Sequence, residues 1–285
     1  MAGAVVVGAS KDHGLMGQTP KAAGLAASQF SVMIWTLNKL GTFEENLEKV
    51  AKAGYHHVQL VGEFRKWSDG DWTHMLGRMR DLKISVDSST AVGQGFADPA
   101  GGDAFIAELK AAMPVLKRLD CKQLILVSGK RVDGAAEGAQ HKTCVENLKR
   151  AAPILSAAGV VAVIEPIDRL ENPPIYLDGV TEAFEIVREV GSPNVKVLYD
   201  FYHEQRTHGN LIEKLEKNIG EVALVHIADV PGRHEPGTGE VDYRNIYRKL
   251  VELKYTGGIA MEFYPTGDVV ETLRRAREEA MSPKA

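Results

Sequence analysis

The chain repeats one unit eight times: a short apolar segment followed by an amphipathic helical segment. Apolar runs that lack a clean period of two are typical of strands buried on both faces of a parallel sheet. The predicted strands occupy residues 30–35, 56–61, 83–89, 123–129, 160–166, 194–200, 221–227 and 258–265. Eight strand–helix units in about 250 residues predict an α/β fold of the (β/α)8 TIM barrel type.

The predicted helices follow these strands at residues 42–53, 72–82, 102–119, 140–158, 178–190, 211–218, 243–253 and 268–280. The alternative is an open, doubly wound sheet, which normally carries a glycine-rich G-x-G-x-x-G turn after its first strand. The first predicted strand here is not followed by that motif. Because no linker-like segment divides the repeat, we expect a single barrel domain over residues 29–285.

Residues 1–28 stand outside the repeat, and we interpret them as a flexible N-terminal leader. The first nine residues are mostly apolar, but no basic residue precedes them as in a secretory signal. We therefore expect a cytoplasmic protein, with export as the alternative if the run is the remainder of a truncated signal. The run is too short to span a bilayer and no other segment is suited to it, so no membrane partner is expected.

The charge of the chain bears on its partners. Its formal net charge is -4, and the basic residues form no run. Nucleic-acid-binding domains usually present a basic face, so no nucleic acid partner is expected. A small-molecule substrate fits the fold better, and a homo-oligomer is expected only by analogy with other barrels.

Chemically active side chains stand at the ends of four consecutive predicted strands. Glu165 ends the fifth, Asp200 the sixth, His226 the seventh, and Glu262 lies on the eighth. In such barrels the carboxyl ends of the strands form the active site, so these groups can converge there. A single histidine on an apolar strand is more often a core residue, but four such groups in matching places favour a metal site. Three carboxylates and one imidazole suit Mg²⁺, Mn²⁺ or Co²⁺, and Zn²⁺ is a further candidate.

Two other residues are candidates for substrate binding. Arg233 lies in the Pro/Gly-rich loop after the seventh strand, and a guanidinium matches the geometry of a carboxylate. The alternative for Arg233 is an ion pair with Glu235 or Glu240 that shapes the loop. His203, three residues past Asp200, is expected either to hydrogen-bond a substrate oxygen or to fix the Asp200 side chain.

Four segments resemble the hydroxypyruvate isomerase family of the xylose-isomerase-like barrels, which also include the ketose 3-epimerases. They are I-E-P-I-D (164–168), Y-D-F-Y-H (199–203), H-I-A-D-V-P-G-R-H-E-P-G-T-G-E (226–240) and M-E-F-Y-P (261–265). The resemblance covers residues 30–280. It implies that Glu165, Asp200, His226 and Glu262 bind one divalent cation and that Glu165 and Glu262 transfer the proton. His226 stands where some hydroxypyruvate isomerases carry glutamine and the epimerases carry histidine, and Gln59 replaces a glutamate common in the wider superfamily.

The function expected from the resemblance is a metal-dependent isomerase that moves a proton between adjacent carbons through an enediolate. Hydroxypyruvate, giving tartronate semialdehyde, is the first candidate substrate. A ketose 3-epimerase acting on free sugars is the alternative, because the same pair of carboxylates could remove a proton on one face and return it on the other. A metal-dependent lyase or nuclease is less favoured because the net charge of the chain is acidic. A sugar-binding barrel without catalysis is less favoured because binding alone does not require the paired glutamates.

Overall fold

Eight parallel strands close into a barrel in chain order in the computed structural model, which describes residues 24–283. The strands are β1 Phe30–Met33, β2 His57–Leu60, β3 Ser85–Ser89, β4 Gln123–Val127, β5 Val161–Glu165, β6 Val195–Asp200, β7 Val222–Ile227 and β8 Gly258–Met261. Strand β1 pairs with both β2 and β8, which closes the sheet. The predicted (β/α)8 barrel is therefore confirmed.

Helices surround the barrel on its outer side. They are α1 Phe43–Lys52, α2 Asp69–Asp81, α3 Gly102–Leu119, α4 Ala139–Ala158, α5 Val180–Val190, α6 Phe201–Thr207, α7 Leu211–Asn218, α8 Tyr243–Glu252 and α9 Val269–Met281. Their apolar faces form one extended core with the strands. A second, smaller core fills the barrel interior with Met33, Ile125, Val163, Leu198 and Leu224.

The structure differs from the sequence prediction mainly at strand ends and after β6. The eighth strand was predicted to reach residue 265 but ends at Met261, and the first ends at Met33, before a 3₁₀ turn over Ile34–Leu37. Helix α6 was not predicted. It begins directly after β6 because the Asp200 carboxylate accepts hydrogen bonds from the backbone N–H groups of Tyr202 and His203.

The strand register contains a bulge between β2 and β3. Val58 pairs with Val86, but the next pair is Gln59 with Ser88, so Asp87 is the extra residue on β3. Bulges change the direction in which neighbouring side chains point and occur often beside active sites. Gln59 contacts His226, so the bulge lies directly beneath the carboxyl end of β7.

Most of the predicted leader, residues 1–23, lies outside the described residues. Its last residues precede β1, where Leu25 is buried against the outer core and Ala27–Gln29 form a 3₁₀ turn. The Gln29 side chain donates hydrogen bonds to the carbonyl groups of Tyr255 and Gly257. Among residues 24–283, no helix has the length and apolar character that crossing a membrane requires.

Candidate metal centre and active site

The four residues predicted as metal ligands converge at the carboxyl end of the barrel. Glu165 and Asp200 are the last residues of β5 and β6, His226 is the last but one of β7, and Glu262 directly follows β8. One potential ligand atom from each residue lies within 4.8 Å of those from the other three. All four side chains are buried. We refer to these four residues as the carboxylate–histidine cluster.

His226 lies at the centre of the cluster. Its Nδ1 is 2.6 Å from Glu262 Oε2, 3.9 Å from Glu165 Oε1 and 4.0 Å from Asp200 Oδ2. Its other ring nitrogen, Nε2, points away from the cluster and lies 2.8 Å from Gln59 Oε1. Nδ1 is therefore the histidine nitrogen that faces the three carboxylates.

Asp200 provides the clearest structural sign of a missing partner. Its Oδ1 caps α6, accepting from the N–H of Tyr202 at 2.8 Å and of His203 at 3.2 Å. Its Oδ2 faces the cluster, is buried and has no hydrogen-bond partner among the described residues. A buried carboxylate oxygen without a partner is costly, and a divalent cation among the four side chains would satisfy it. The donor set therefore fits a hard or borderline divalent cation.

Arg233 covers the cluster from the loop after β7. Its Nη2 lies 3.0 Å from Glu262 Oε2, and its Nη1 lies 2.6 Å from Glu171 Oε2. The guanidinium carbon also lies 5.3 Å from the centre of the Trp35 ring and 4.9 Å from that of Tyr202. A third, longer ion pair joins Nη2 to Asp200 Oδ2 at 3.7 Å. The three ion pairs link Arg233 to the cluster and to the β5–α5 loop, and none involves the loop glutamates Glu235 and Glu240.

The charges of the cluster shift one another's pKa values. Burial, and then repulsion from Glu262, raise the pKa of Glu165 to about 7. Burial acts in the same direction on Glu262, but Arg233 and His226 hold its pKa well below the usual range. Burial alone would lower the pKa of His226, yet the neighbouring carboxylates, Glu262 first, raise it to about 9. These opposed shifts show that the carboxylates depend on nearby positive charge.

His203 lies on α6 beside the cluster. Its Nδ1 is 2.6 Å from Asp168 Oδ2, and its Nε2 is 3.5 Å from Asp200 Oδ2. Asp168 is in turn held by the N–H groups of Leu170 and Glu171. His203 thus bridges two aspartates, a geometry that suits a residue that fixes Asp200. The substrate-binding role of His203 stays a prediction.

Asp229 organises the loop that carries Arg233. Its carboxylate accepts hydrogen bonds from the backbone N–H groups of Val230, Gly237, Gly239 and Val241, at 2.8 to 3.0 Å. Two further loop side chains reach the segment after β8. Glu235 accepts from Thr266, and His234 Nδ1 lies 2.8 Å from the Tyr264 carbonyl oxygen. These contacts give the loop a fixed shape in which Arg233 faces inward.

Sequence reasoning did not assign roles to Asp168, Glu171 or Gln59. Asp168 stands three residues after Glu165 in the I-E-P-I-D segment, so its position in that segment was an available signal. Glu171 had no such signal, because its contact with Arg233 joins residues that are 62 positions apart. The Trp35 indole N–H also reaches the cluster and donates to Glu262 Oε1 at 3.1 Å.

Comparison with known proteins identifies the family of the chain. Residues 47–281 match the family described as xylose isomerase-like TIM barrel. Hydroxypyruvate isomerase of Escherichia coli (strain K12) is 32% identical over 228 residues, covering 78% of the chain and 88% of that relative. The 2-oxo-tetronate isomerase of Haemophilus influenzae is 29% identical over 238 residues, covering 81% of the chain and 91% of that relative. A Drosophila melanogaster relative, 35% identical over 176 residues, is matched over only 66% of its length. The names of the two bacterial relatives support the predicted isomerase class.

Solved structures share the fold. The AP endonuclease, family 2, of Brucella melitensis has a TM-score of 0.78 and 26% identity, covering 86% of this chain and 96% of that one. The D-psicose 3-epimerase of Clostridium cellulolyticum H10, solved with D-tagatose, has a TM-score of 0.72 and 19% identity, covering 88% and 96%. Because the epimerase is only 19% identical in sequence, its likeness to this chain shows the barrel fold alone.

Replacing Asp229 by alanine is expected to loosen the loop that carries Arg233. The change leaves four backbone N–H groups, three of them partly buried and one buried, without their charged acceptor. A hydrogen bond to a charged group contributes about 1.5–3 kcal/mol. Hydrogen exchange should show faster exchange of amides 230–241 than in the unaltered protein. The matched control is Asp242→Ala, which removes an exposed cap of α8. Equal protection of the loop in both variants would contradict the role given to Asp229.

Proposed function

Since the chain belongs to the xylose isomerase-like TIM barrel family, we propose that it is a divalent-metal-dependent isomerase that interconverts hydroxypyruvate and tartronate semialdehyde. The observation that carries the proposal is the convergence of Glu165, Asp200, His226 and Glu262 at the barrel mouth, with ligand atoms within 4.8 Å of one another. The 32% identity to an isomerase of hydroxypyruvate supports the choice of substrate.

The four residues of the carboxylate–histidine cluster would hold the cation through three carboxylates and His226 Nδ1. Mg²⁺, Mn²⁺ and Co²⁺ are the candidates best suited to this oxygen-rich set, with Zn²⁺ a further one. The cation, when bound, supplies a Lewis acid that polarises the substrate carbonyl and stabilises the negative charge developing on its oxygens.

Glu165 and Glu262 are the proposed proton-transferring pair. One carboxylate takes a proton from the hydroxymethyl carbon of hydroxypyruvate, and a proton is returned to the neighbouring carbonyl carbon. The hydroxyl proton of the first carbon passes to the former carbonyl oxygen, which completes the semialdehyde. The Glu262 carboxylate is contacted by Trp35, His226 and Arg233. Among the residues that the structure describes, the Glu165 carboxylate makes one side-chain ion pair, a 3.9 Å approach to His226 Nδ1. Glu165 is therefore the freer carboxylate and the first candidate for the base.

Arg233 and His203 are the proposed substrate-binding residues. The Arg233 guanidinium already contacts two carboxylates, Glu171 and Glu262, so it presents the geometry that a substrate carboxylate requires. On substrate binding, the carboxylate of hydroxypyruvate would replace one of these partners. His203 Nε2 lies near Asp200 Oδ2 and faces the same space, where it would hydrogen-bond a substrate oxygen.

A ketose 3-epimerase is the second candidate, because His226 stands where the epimerases carry histidine. The loop segment V-P-G-R-H-E-P-G (230–237) resembles the hydroxypyruvate isomerases instead. The name of the Haemophilus relative makes 2-oxo-tetronate a third substrate to test. We favour hydroxypyruvate because Arg233 suits a small acid better than a neutral sugar. A homo-oligomer and a cytoplasmic location remain predictions.

Metal removal and substrate choice test the proposal together. Protein stripped with a chelator should lose turnover of hydroxypyruvate by about 100-fold or more, because a Lewis acid contributes several kcal/mol to the barrier. Adding Mn²⁺, Mg²⁺ or Co²⁺ should restore it. The same assay includes 2-oxo-tetronate, fructose and tagatose. Metal-dependent turnover of the free ketoses alone would assign the chain to the epimerases, and turnover that survives complete metal removal would refute metal dependence.

Glu165→Gln and Glu262→Gln are each expected to reduce kcat by about 10²–10⁴-fold, because an amide cannot accept the proton. The exposed Glu185→Gln on α5 is the matched control and should keep full activity. Circular dichroism and metal content are measured for each variant, so that lost proton transfer is distinguished from a lost fold or cation. Wild-type turnover in both glutamine variants would exclude the pair.

Arg233→Ala is expected to raise KM for hydroxypyruvate by about 10–100-fold, since a hydrogen bond to a charged group contributes about 1.5–3 kcal/mol. Arg233→Lys should recover only part of the loss, because lysine lacks the planar pair of donors. Arg244→Ala, an exposed change on α8, serves as the control. An unchanged KM in Arg233→Ala would show that the substrate carboxylate binds elsewhere.

A further inference from the structure

Gln59 is a buried polar residue with one contact that bears directly on the cluster. It is the last residue of β2 that pairs with β1, and it is fully buried. Its Oε1 lies 2.8 Å from His226 Nε2. Its amide nitrogen, Nε2, is buried and has no hydrogen-bond partner within residues 24–283. One end of the side chain is thus satisfied by His226, and the other end needs an acceptor.

The histidine can serve as a metal ligand only in one tautomer. Nδ1 faces Glu262, Glu165 and Asp200, so a cation held by these carboxylates requires an unprotonated Nδ1. The ring proton must then lie on Nε2, which needs an acceptor. Gln59 Oε1 is that acceptor in this structure. An amide rotated by 180° would present its NH₂ group instead and would favour the proton on Nδ1, which blocks the ligand position.

Asp87 is the charged residue placed beside the Gln59 amide. The β2–β3 bulge makes Asp87 the extra residue opposite Gln59. Asp87 Oδ1 is buried and, like Gln59 Nε2, has no partner among the described residues. Burial raises the pKa of Asp87 to about 6, while the Ser31 hydroxyl and the Gln59 amide act in the opposite direction. An acceptor-only carboxylate attracts the NH₂ end of the amide and therefore turns its oxygen toward His226.

We propose that Gln59 and Asp87 form a positioning pair that fixes His226 with its proton on Nε2 and its Nδ1 free to bind the cation. Neither residue touches the substrate or the cation. The pair acts through His226, as outer partners of metal-binding histidines commonly do. The proposal rests on the proposed cation site and is independent of which substrate the enzyme uses.

The first test uses the unaltered protein loaded with Zn²⁺, which is diamagnetic. Nitrogen-15 NMR of histidine-labelled protein should show His226 with a proton on Nε2 and a metal-shifted Nδ1, assigned by comparison with His226→Gln. A proton on Nδ1, or metal on Nε2, overturns the positioning pair. Absence of any Zn²⁺ binding at the cluster would instead contradict the proposed function, so the two failures are distinguishable.

The second test compares the Mn²⁺ affinity of variants by equilibrium dialysis. Gln59→Met keeps the volume but removes the acceptor, and it should weaken Mn²⁺ binding about 10–100-fold. In Gln59→Glu both ends of the side chain are acceptor oxygens, so either orientation presents an acceptor to His226. This variant should retain the wild-type affinity for Mn²⁺. Ser89→Ala, which removes a hydrogen bond to Leu60 on the neighbouring strand, is the control and should bind Mn²⁺ normally.

Asp87→Asn tests whether Asp87 acts by orienting the Gln59 amide or only by packing against it. The change should weaken Mn²⁺ binding when residue 59 is glutamine, because the amide is no longer oriented. It should have no such effect in Gln59→Glu protein, where both ends of the side chain are acceptors. An equal effect of Asp87→Asn in the two backgrounds, or wild-type affinity in Gln59→Met, overturns the proposal. If Gln59→Met fails to fold, the Asp87→Asn comparison and the NMR measurement still decide the question.

Discussion

Repulsion among three buried carboxylates is the constraint on which the rest of the site depends. Glu165, Asp200 and Glu262 share one small space, where each uncompensated charge would cost several kcal/mol. In the structure, His226 contacts all three and Arg233 approaches Asp200 and Glu262. Such an arrangement suits a divalent cation because one ion compensates several carboxylates at once. In the proposed function, the same positive charge would stabilise an enediolate, so one feature would serve both the stability of the site and its catalysis.

The barrel explains how four distant segments meet in this way. Parallel strands in chain order bring their carboxyl ends to one rim, so residues that are 26 to 36 positions apart in sequence become neighbours. Loops then complete the site. Asp229 fixes the loop that carries Arg233, and the β5–α5 loop supplies Asp168 and Glu171. The proposed ligands thus lie on strands or directly after one, whereas the proposed substrate-binding residues lie on the loop after β7 (Arg233) and on α6 (His203).

The sequence predicted the fold and the cluster because both follow from local patterns. Buried strands are visible in the sequence as apolar runs, and Glu165, Asp200 and His226 stand at or near the ends of three of them. Contacts made by the loops could not be predicted in this way. The choice of Glu171 as the partner of Arg233, and of Asp168 as the partner of His203, depends on how the loops after β5 and β7 fold over the rim. The role proposed for Gln59 depends on a bulge in β3, which no pattern in the sequence marks.

The most direct test of the account is a crystal structure of the protein soaked with Mn²⁺, with anomalous scattering used to locate the ion. We predict one anomalous peak per chain, bound by Glu165, Asp200, Glu262 and the Nδ1 atom of His226. Arg233 should remain within reach of the space beside the ion. A protein without density among these four side chains at saturating Mn²⁺, or with an ion bound elsewhere and the cluster unchanged, would contradict the account.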